Sequence, residues 1–448
     1  MLKTSTLYFP FYLMIFYILF GIACSVFSPI QYVDYHTGAM ITFMSAVMIC
    51  MAIGYYLGAN HPIHLAVGDT RSLLSSQFRK VVNLSFVTST IVVGVLILAT
   101  LVTKGISLNI FKSGEAYVSL YDAYERNTGS YSPTFILSSV AAPFLFITNI
   151  WGLYFFPGLR RPQKLMVVFI LLATFIVFTI GDGKQKQFGD MVIYIACIFA
   201  LKRAATGTLN MKLLWRFLAL GLAGGSILLI LLNSRYSAVG IDAANLGAVL
   251  HPLMLFQEDH WLMRLLGPNL GFPVAMLSSY FGQGYYGLSL ALQEPFTWTH
   301  LAGGSYSISV IVNKLGGPFY VEQSYPYLVG DAFGWSESKW HTGYAWIASD
   351  LTWPGTALFT GFVSYIFAVA WKESVLLRNP FSILVVCMLS IGAAYLPANN
   401  QLMHAPGSLL TLIVVFGLYF RYRGSVNYHS LNSLRRRMSK SSDRAVTA

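Results

Sequence analysis

Residues 7–27 read LYFPFYLMIFYILFGIACSVF, a run that contains no charged side chain. A hydrocarbon core of roughly 30 Å needs about 20 such residues in helical form, so this run predicts a membrane-spanning helix. The run is too long for the core of a signal peptide and lacks a clear cleavage site. We therefore expect it to be retained as the first helix.

Similar apolar runs recur along the chain, which is 56% hydrophobic and only 10% charged, with a mean hydropathy of +0.61. Soluble domains are about a quarter charged, so this composition excludes a soluble globule. The runs are continuous and do not alternate at every second residue, which favours helical hairpins over a β-barrel. The sequence predicts an all-α fold, a polytopic helical membrane protein.

We predict ten spans, of which the sixth is the shortest. They cover residues 7–27, 38–58, 82–103, 134–156, 165–181, 190–201, 213–233, 354–371, 380–396 and 408–420. A long segment rich in aromatic residues, 234–353, separates the seventh span from the eighth. One large polar and aromatic segment of this kind predicts chemistry or recognition on its side of the membrane.

The basic residues predict which side that is. Twenty of the 29 Lys and Arg residues fall on one side, nineteen of them in the termini and in connectors such as 59–81, 157–164 and 372–379 and one, Arg216, at the adjacent end of a span. Fourteen of the 17 acidic residues fall opposite. The positive-inside rule then places both termini in the cytoplasm and the long segment outside. The net charge of +12 therefore reflects topology and gives no indication of a nucleic-acid partner.

This topology divides the chain into four parts. They are N-terminal spans in 1–233, a large periplasmic segment in 234–353, C-terminal spans in 354–420 and a basic cytoplasmic tail in 421–448. Within the second part, residues 270–292 are apolar enough for a span, but an odd number of added spans would move the tail outside. Their Ser, Gln, Gly and Tyr content favours an interfacial helix on the membrane surface.

The outward-facing segment combines aromatic rings, carboxylates and a minority of cations. Aromatic faces with neighbouring carboxylates and amides suit sugar rings, which present both C–H patches and hydroxyl groups. The alternative is an interfacial aromatic belt with snorkelling cations. Concentration of these residues on one side favours the sugar-binding interpretation. The aromatic candidates are Tyr236, Trp340, Tyr344 and Trp346.

Several cations follow predicted spans and are candidates for binding a pyrophosphate. Residues 179–186, TIGDGKQK, end a span in a Gly-flanked turn that carries Lys184 and Lys186. Arg235 follows the end of the seventh predicted span, and Arg264 lies further along the outer segment. A lone cation at a membrane edge usually snorkels, so these residues become informative only as a group.

The stretch WHTGYAWIASDLTWPG, residues 340–355, leads into the eighth span. In a helix, His341, Tyr344 and Ala348 would share one face, with Asp350 further on. A histidine at the outer membrane edge is able to act as a general base on a hydroxyl group. The alternative is a structural histidine followed by an acidic residue near the start of a helix.

This stretch resembles the motif of the O-antigen polymerase and ligase superfamily, the Wzy and WaaL types. In the ligases a catalytic His is followed by an acidic residue nine positions on and a Gly fourteen positions on. His341, Asp350 and Gly355 match those offsets. The chain departs from the pattern at Thr342 and Thr352, where the family usually has Asn and Gly.

Two other segments carry the same resemblance. The turn at 179–186 is similar to the Gly-rich basic turn of the polymerases, with Lys184 where an Arg is typical. The pair Arg235–Tyr236 matches an Arg-Tyr pair that follows the next span in some polymerases. The plan of ten to twelve spans with one large outer loop is also shared.

The resemblance implies a metal-independent glycosyltransferase of GT-C-like architecture, without a cofactor, in the bacterial inner membrane. Its donor and acceptor would be undecaprenyl-pyrophosphate-linked oligosaccharides. The enzyme would polymerise these repeat units into O-antigen or a related surface polysaccharide at the periplasmic face. Membrane lipid, a chain-length regulator and a flippase of the same pathway are the further partners it implies, and nucleic acid is not among them.

The resemblance also implies roles for the candidate residues. His341 would be the base for the acceptor hydroxyl, and Asp350 would orient the imidazole or bind the acceptor sugar. Arg235 and Lys184 would stabilise the leaving pyrophosphate, with Lys186 and Arg264 as further candidates. No metal ligand is expected.

Three other functions stay open at this point. An O-antigen ligase would share the His motif and would transfer the polymer to the lipid A core. A flippase for the same lipid-linked sugars would line a central cavity with intramembrane charge, whereas the predicted spans here are nearly free of charge. A structural membrane protein without catalytic activity is the fourth interpretation.

Overall fold

The structure is a computed structural model that describes most of the chain. The described residues are 4–63, 71–103, 133–176, 179, 185–209, 219, 221, 225, 226, 229, 251–316 and 319–423. The predicted span 213–233 therefore lies almost wholly outside the described residues. The same is true of Lys184, Arg235, Tyr236 and the tail beyond residue 423.

Helices dominate the described residues. The first part of the chain holds α1 (Thr4–Phe27), β1 (Ile30–Tyr32), α2 (Thr37–Asn60), α3 (Arg71–Thr103), α4 (Pro133–Tyr154), a 3₁₀ turn (Phe156–Gly158), α5 (Arg161–Thr174) and α6 (Gln185–Ala205). The long segment holds β2 (Met254–Phe256), α7 (Trp261–Ala291), α8 (Tyr306–Gly316), α9 (Phe319–Glu322) and α10 (Tyr325–Phe333). The last part holds α11 (Gly343–Leu377), α12 (Pro380–Tyr395), α13 (Gln401–His404) and α14 (406–423).

Five of these helices are long and apolar enough to cross a membrane. They are α1, α2, Lys80–Val102 within α3, α4 and α11, and α12 is apolar but shorter. The structure thus confirms the coarse prediction of a helical, multi-pass membrane protein. The count of ten spans stays a prediction.

The ends of the described helices lie at two opposite ends of the molecule. At one end, called the basic end, the Lys372 ammonium donates to the carbonyls of Ala59 and His61 at the end of α2, each at 2.9 Å. Lys202 donates to the carbonyl of Leu153 near the end of α4 at 3.0 Å. These ammonium groups satisfy carbonyls that helix ends leave without intrahelical partners.

The opposite end, called the loop end, holds the described parts of the segments that the sequence predicts to be periplasmic. Strands β1 and β2 pair antiparallel there, with Gln31 opposite Leu255. This ribbon is a small exception to the all-α prediction. It joins the connector after α1 to the long segment, so both lie at the same end of the molecule.

The tightest helix pair joins α2 to α11 through glycines. A methyl group at Gly54 would collide with the carbonyl of Gly361, and one at Gly361 would lie 2.8 Å from the carbonyl oxygen of Cys50. Ser364 Oγ also donates to the carbonyl of Met51 at 2.9 Å. Lipid tails are as apolar as the helix surfaces, so the hydrophobic effect does not drive helices together within a membrane. Close packing through small residues is a common basis of helix association there.

Residues 270–292, predicted as an interfacial helix, lie in the C-terminal part of α7. This part packs against α1, where Tyr285 fits over Gly21 and Phe281 contacts Phe20 edge-on at 5.4 Å. The helix is fully enclosed by protein from Gly284 to Ala291. Its burial comes mainly from other helices, so α7 forms part of the packed interior at the loop end.

Two helices contain the same kind of kink. Gly267 in α7 has φ 67° and ψ 170°, and Thr352 in α11 has φ 64° and ψ 171°. This backbone region is almost restricted to glycine, because a Cβ atom crowds the backbone. Thr352 is also a position where the resembled family usually has Gly. The backbone at this position therefore favours glycine over the threonine that the chain has.

We expect Thr352→Gly to stabilise the protein by about 1 kcal/mol. Relief of strain worth about 1–3 kcal/mol would exceed the entropic cost of a glycine, roughly 0.5–1 kcal/mol. Gly267→Thr is the matched reverse change, and an added Cβ there meets no atom within 4 Å. It should destabilise by a similar amount in thermal unfolding of the detergent-solubilised protein. Equal stability of Gly267→Thr and the wild type would contradict this account.

Candidate functional site

The loop end brings three distant parts of the chain into contact. The backbone N–H of Gly343, at the start of α11, donates to the carbonyl of Leu396 at 2.8 Å. Asn400 Nδ2 donates to the carbonyl of Gly304 at 2.7 Å, and Ser305 Oγ donates to the carbonyl of Met403. The predicted motif at 340–355 thus lies beside the connector that follows α12.

Asp350 holds a neighbouring loop through both of its carboxylate oxygens. Oδ2 accepts from the N–H of Gly304 at 2.6 Å, and Oδ1 accepts from the N–H of Gly303 at 3.3 Å and from the hydroxyl of Thr299. Asp350 lies about two turns along α11 from His341. The structure therefore gives it a role in positioning the loop 299–304, and orientation of the imidazole stays a prediction.

His341 is completely buried between its own loop and α7. Its Nε2 lies 3.0 Å from the carbonyl of Ser336, which can only accept, so Nε2 carries the proton. Burial lowers the pKa of the imidazole to about 4. His341 is therefore neutral at physiological pH, and its unprotonated Nδ1 has no hydrogen-bond partner among the described residues.

A neutral imidazole with a free lone pair has the form that a general base needs. However, a Cβ atom at Gly287 of α7 would lie 3.1 Å from this Nδ1, so the lone pair is close to helix backbone. A sugar hydroxyl would reach it only if the loop before α11 moved away from α7. The same geometry also serves a structural histidine, and the base role stays a prediction.

Lys186 lies in a polar cluster at the start of α6. Its ammonium contacts Asp190 Oδ2 at 2.7 Å, and the two side chains are 34% and 20% exposed. The Tyr395 hydroxyl donates to the Lys186 carbonyl at 3.3 Å. The imidazole of His404 stacks on the ring of Tyr306, with the centroids 5.0 Å apart. Burial lowers the pKa of His404, and the positive charge of Lys186 lowers it further.

Several acceptors in this region have no partner among the described residues. Buried oxygen atoms of this kind are Gln187 Oε1, Asp190 Oδ1 and Asn399 Oδ1. Buried acceptors are rarely left unpaired in folded proteins, so donor groups from a ligand or from water are expected to satisfy them. Within the described ranges, no three His, Cys, Asp or Glu side chains come close enough to hold a metal ion.

The aromatic candidates differ in accessibility. Trp340 is partly exposed and contacts Tyr280 of α7 edge-on at 4.5 Å. Tyr344 is 1% exposed and Trp346 is 4% exposed, so protein encloses both rings. Their stacking on a sugar stays a prediction, as does that of Trp340.

Arg264 is not brought into this cluster by any contact in the described part of the chain. Its guanidinium is 72% exposed and lies 3.6 Å from the carboxylate of the fully exposed Asp259. Such an exposed ion pair contributes little to the stability of the fold.

Sequence reasoning missed four members of the Lys186 cluster. Asp190, Tyr306, Tyr395 and His404 come from α6, α8, α12 and α13, and no local motif links them. The available signal was the polar connector 397–407, PANNQLMHAPG, which stands between two apolar runs. Amide side chains and a histidine at the end of a predicted span would have justified adding this connector to the candidate site.

Comparisons of the chain with protein families, with curated proteins and with solved structures give no match. Any assignment of function therefore rests on the residues and their geometry.

Proposed function

We propose that this protein is a glycosyltransferase that polymerises lipid-pyrophosphate-linked oligosaccharide repeat units at the outer face of the bacterial inner membrane. The observation that carries the proposal is the Lys186 cluster at the loop end. An ionisable pair that is largely withdrawn from water at a membrane edge is costly and is usually functional. Asp190 Oδ1, in the pair itself, and Oε1 of the adjacent Gln187 are buried acceptors with no partner among the described residues, a combination that suits an anionic group attached to a hydroxyl-rich sugar.

In the proposed reaction, the acceptor hydroxyl oxygen forms a bond to the anomeric carbon of the donor. The bond from that carbon to the pyrophosphate oxygen breaks, and the hydroxyl proton passes to a base. Lys186 would stabilise the negative charge on the leaving pyrophosphate, together with Lys184 and Arg235. His341 is the proposed base, reached after movement of the loop before α11.

The ten-span, GT-C-like arrangement belongs to the same proposal. Pairing of β1 with β2 puts the connector after α1 and the long segment at one end, so the chain between them must cross the membrane an even number of times. Helices α2 to α6 provide five crossings if each one spans. A further span at 213–233 satisfies the requirement. The excess of cations at the basic end supports a cytoplasmic location for that end.

The experiment is a deletion of the gene in its native strain, with surface polysaccharide examined by gel. We expect the polymer ladder to disappear while forms with a single repeat unit remain. Complementation with Lys186→Ala should reduce polymer at least about tenfold, because charge-assisted stabilisation of a leaving group is worth about 2 kcal/mol or more. Lys164→Ala, which alters a lysine at the basic end, should restore the ladder fully.

Two outcomes would redirect the proposal. Loss of every capped form in the deletion strain would identify a ligase. An unchanged ladder in the deletion strain would remove the polymerase function altogether.

A further inference from the structure

The loop 293–301, between α7 and α8, presents apolar and aromatic side chains to solvent. Phe296, Trp298 and Leu301 are 41%, 49% and 62% exposed. The rings of Trp298 and His300 lie 4.3 Å apart, centroid to centroid, with their planes at 40°. Large apolar side chains grouped at one exposed site indicate a binding surface.

The backbone of this loop is strained. His300 has φ 53° and Leu301 has φ 65°, values that are uncommon for residues other than glycine. Leucine is bulky and rarely adopts this region. Such conformations persist only where surrounding contacts enforce them, and they concentrate at ligand-binding sites.

Hydrogen bonds from two other elements enforce this conformation. The backbone N–H of Thr299 donates to the carbonyl of Ser349 at 3.3 Å, and its hydroxyl donates to the carboxylate of Asp350. Asp350 and Asn400 hold the following residues, 303–304, from both sides. Insertion into lipid needs no such precision, whereas recognition of a ligand with fixed shape does.

The position of the loop also fits the proposed substrate. Ser349 and Asp350 directly precede the kink at Thr352, and the predicted eighth span begins at Pro354. The loop therefore lies beside the predicted outer end of this span. The sugar rings of a lipid-linked oligosaccharide lie at the same depth.

We infer that the loop 293–301 binds a pyranose ring of the lipid-linked oligosaccharide, with the indole of Trp298 stacked on the C–H face of the sugar. In the sequence, Gln293 and Glu294 precede the indole and His300 follows it, and side chains of these types hydrogen-bond sugar hydroxyls. The inference rests on the proposed function and names its recognition element. Asp350 becomes a positioning residue for this loop.

The test measures binding to the full chain in nanodiscs. The probe is the free oligosaccharide that mild acid releases from the lipid-linked repeat units of the source strain, titrated by calorimetry. Trp298→Ala should weaken binding at least about tenfold, since it removes the whole stacking face. Trp298→Phe keeps an aromatic face and should stay within about threefold of the wild type. Trp261→Ala is the matched control at another exposed indole of the loop end and should change nothing.

Three results would overturn the inference. The first is binding to Trp298→Ala that equals binding to the wild type. The second is a spin label at Thr297→Cys, in a cysteine-free chain, that proves more accessible to oxygen than to a water-soluble nickel complex, which would identify a membrane anchor. The third is no binding by the wild type. The deletion phenotype tests the polymerase function separately, so failure of the loop assignment can be distinguished from failure of the proposed function.

Discussion

Arg423→Ala is expected to lower the free energy of unfolding by about 3–5 kcal/mol, because it leaves a buried carboxylate without its counter-ion. Glu373 is 1% exposed, and its Oε1 accepts from Nε and Nη2 of Arg423 at 3.1 and 2.7 Å. Its Oε2 accepts from the Ser382 hydroxyl at 2.6 Å. The pair joins α11, α12 and the end of α14. The measurement is a denaturation titration of the purified protein in mixed micelles.

The rescue variant separates charge from packing. Glu373→Gln in the Arg423→Ala chain removes the uncompensated charge while an amide can still accept from Ser382, so it should recover most of the lost stability. Arg421→Ala is the matched control, because Arg421 is exposed two residues earlier on the same helix. Equal losses for Arg421→Ala and Arg423→Ala would show that the pair has no special importance.

Acidification from pH 7 to pH 4 is expected to destabilise the wild type by up to about 3 kcal/mol more than His341→Gln. Burial lowers the pKa of His341 from 6.5 to about 4, so the unfolded chain binds a proton between these values and the folded chain does not. Stability from this group is therefore fully present above pH 6.5. It is lost as the pH falls towards 4, and the loss levels off below that value.

The comparison isolates one imidazole. His251 and His404 also have lowered pKa values, mainly through burial. The wild type and His341→Gln both retain these two residues, so their contribution cancels when the two stabilities are subtracted. The amide of a glutamine at position 341 is able to donate to the Ser336 carbonyl, so the variant keeps the main contact. His36→Gln, at an exposed position, is the control. Parallel pH profiles for the wild type and His341→Gln would refute the buried neutral state.

Hydropathy was sufficient to predict the coarse architecture, a helical protein with several membrane-spanning segments. The predicted span 7–27 is α1, 38–58 lies within α2, and 380–396 corresponds closely to α12. Thr352, where the chain departs from the resembled motif, has a positive φ of 64°, and the resemblance itself stays a prediction. These features depend on local composition or on a single backbone position.

The candidate site was predicted less completely. Lys186 was identified from its Gly-rich turn, but Tyr395 and His404 join it only through contacts between distant helices. The resemblance implied that Asp350 orients His341 or binds the acceptor sugar, and both roles stay predictions. The hydrogen bonds of its carboxylate to the loop 299–304 could not be predicted from the sequence.

The difference has a physical cause. An apolar side chain enters lipid, and Lys and Arg stay on one side of the membrane, because of the chemistry of each residue and its surroundings. The order of residues is therefore enough to predict both. The burial of His341, the partners of Asp350 and the membership of the Lys186 cluster arise from contacts between residues far apart in the chain. Only folding brings those residues together, and only the tertiary structure could identify them.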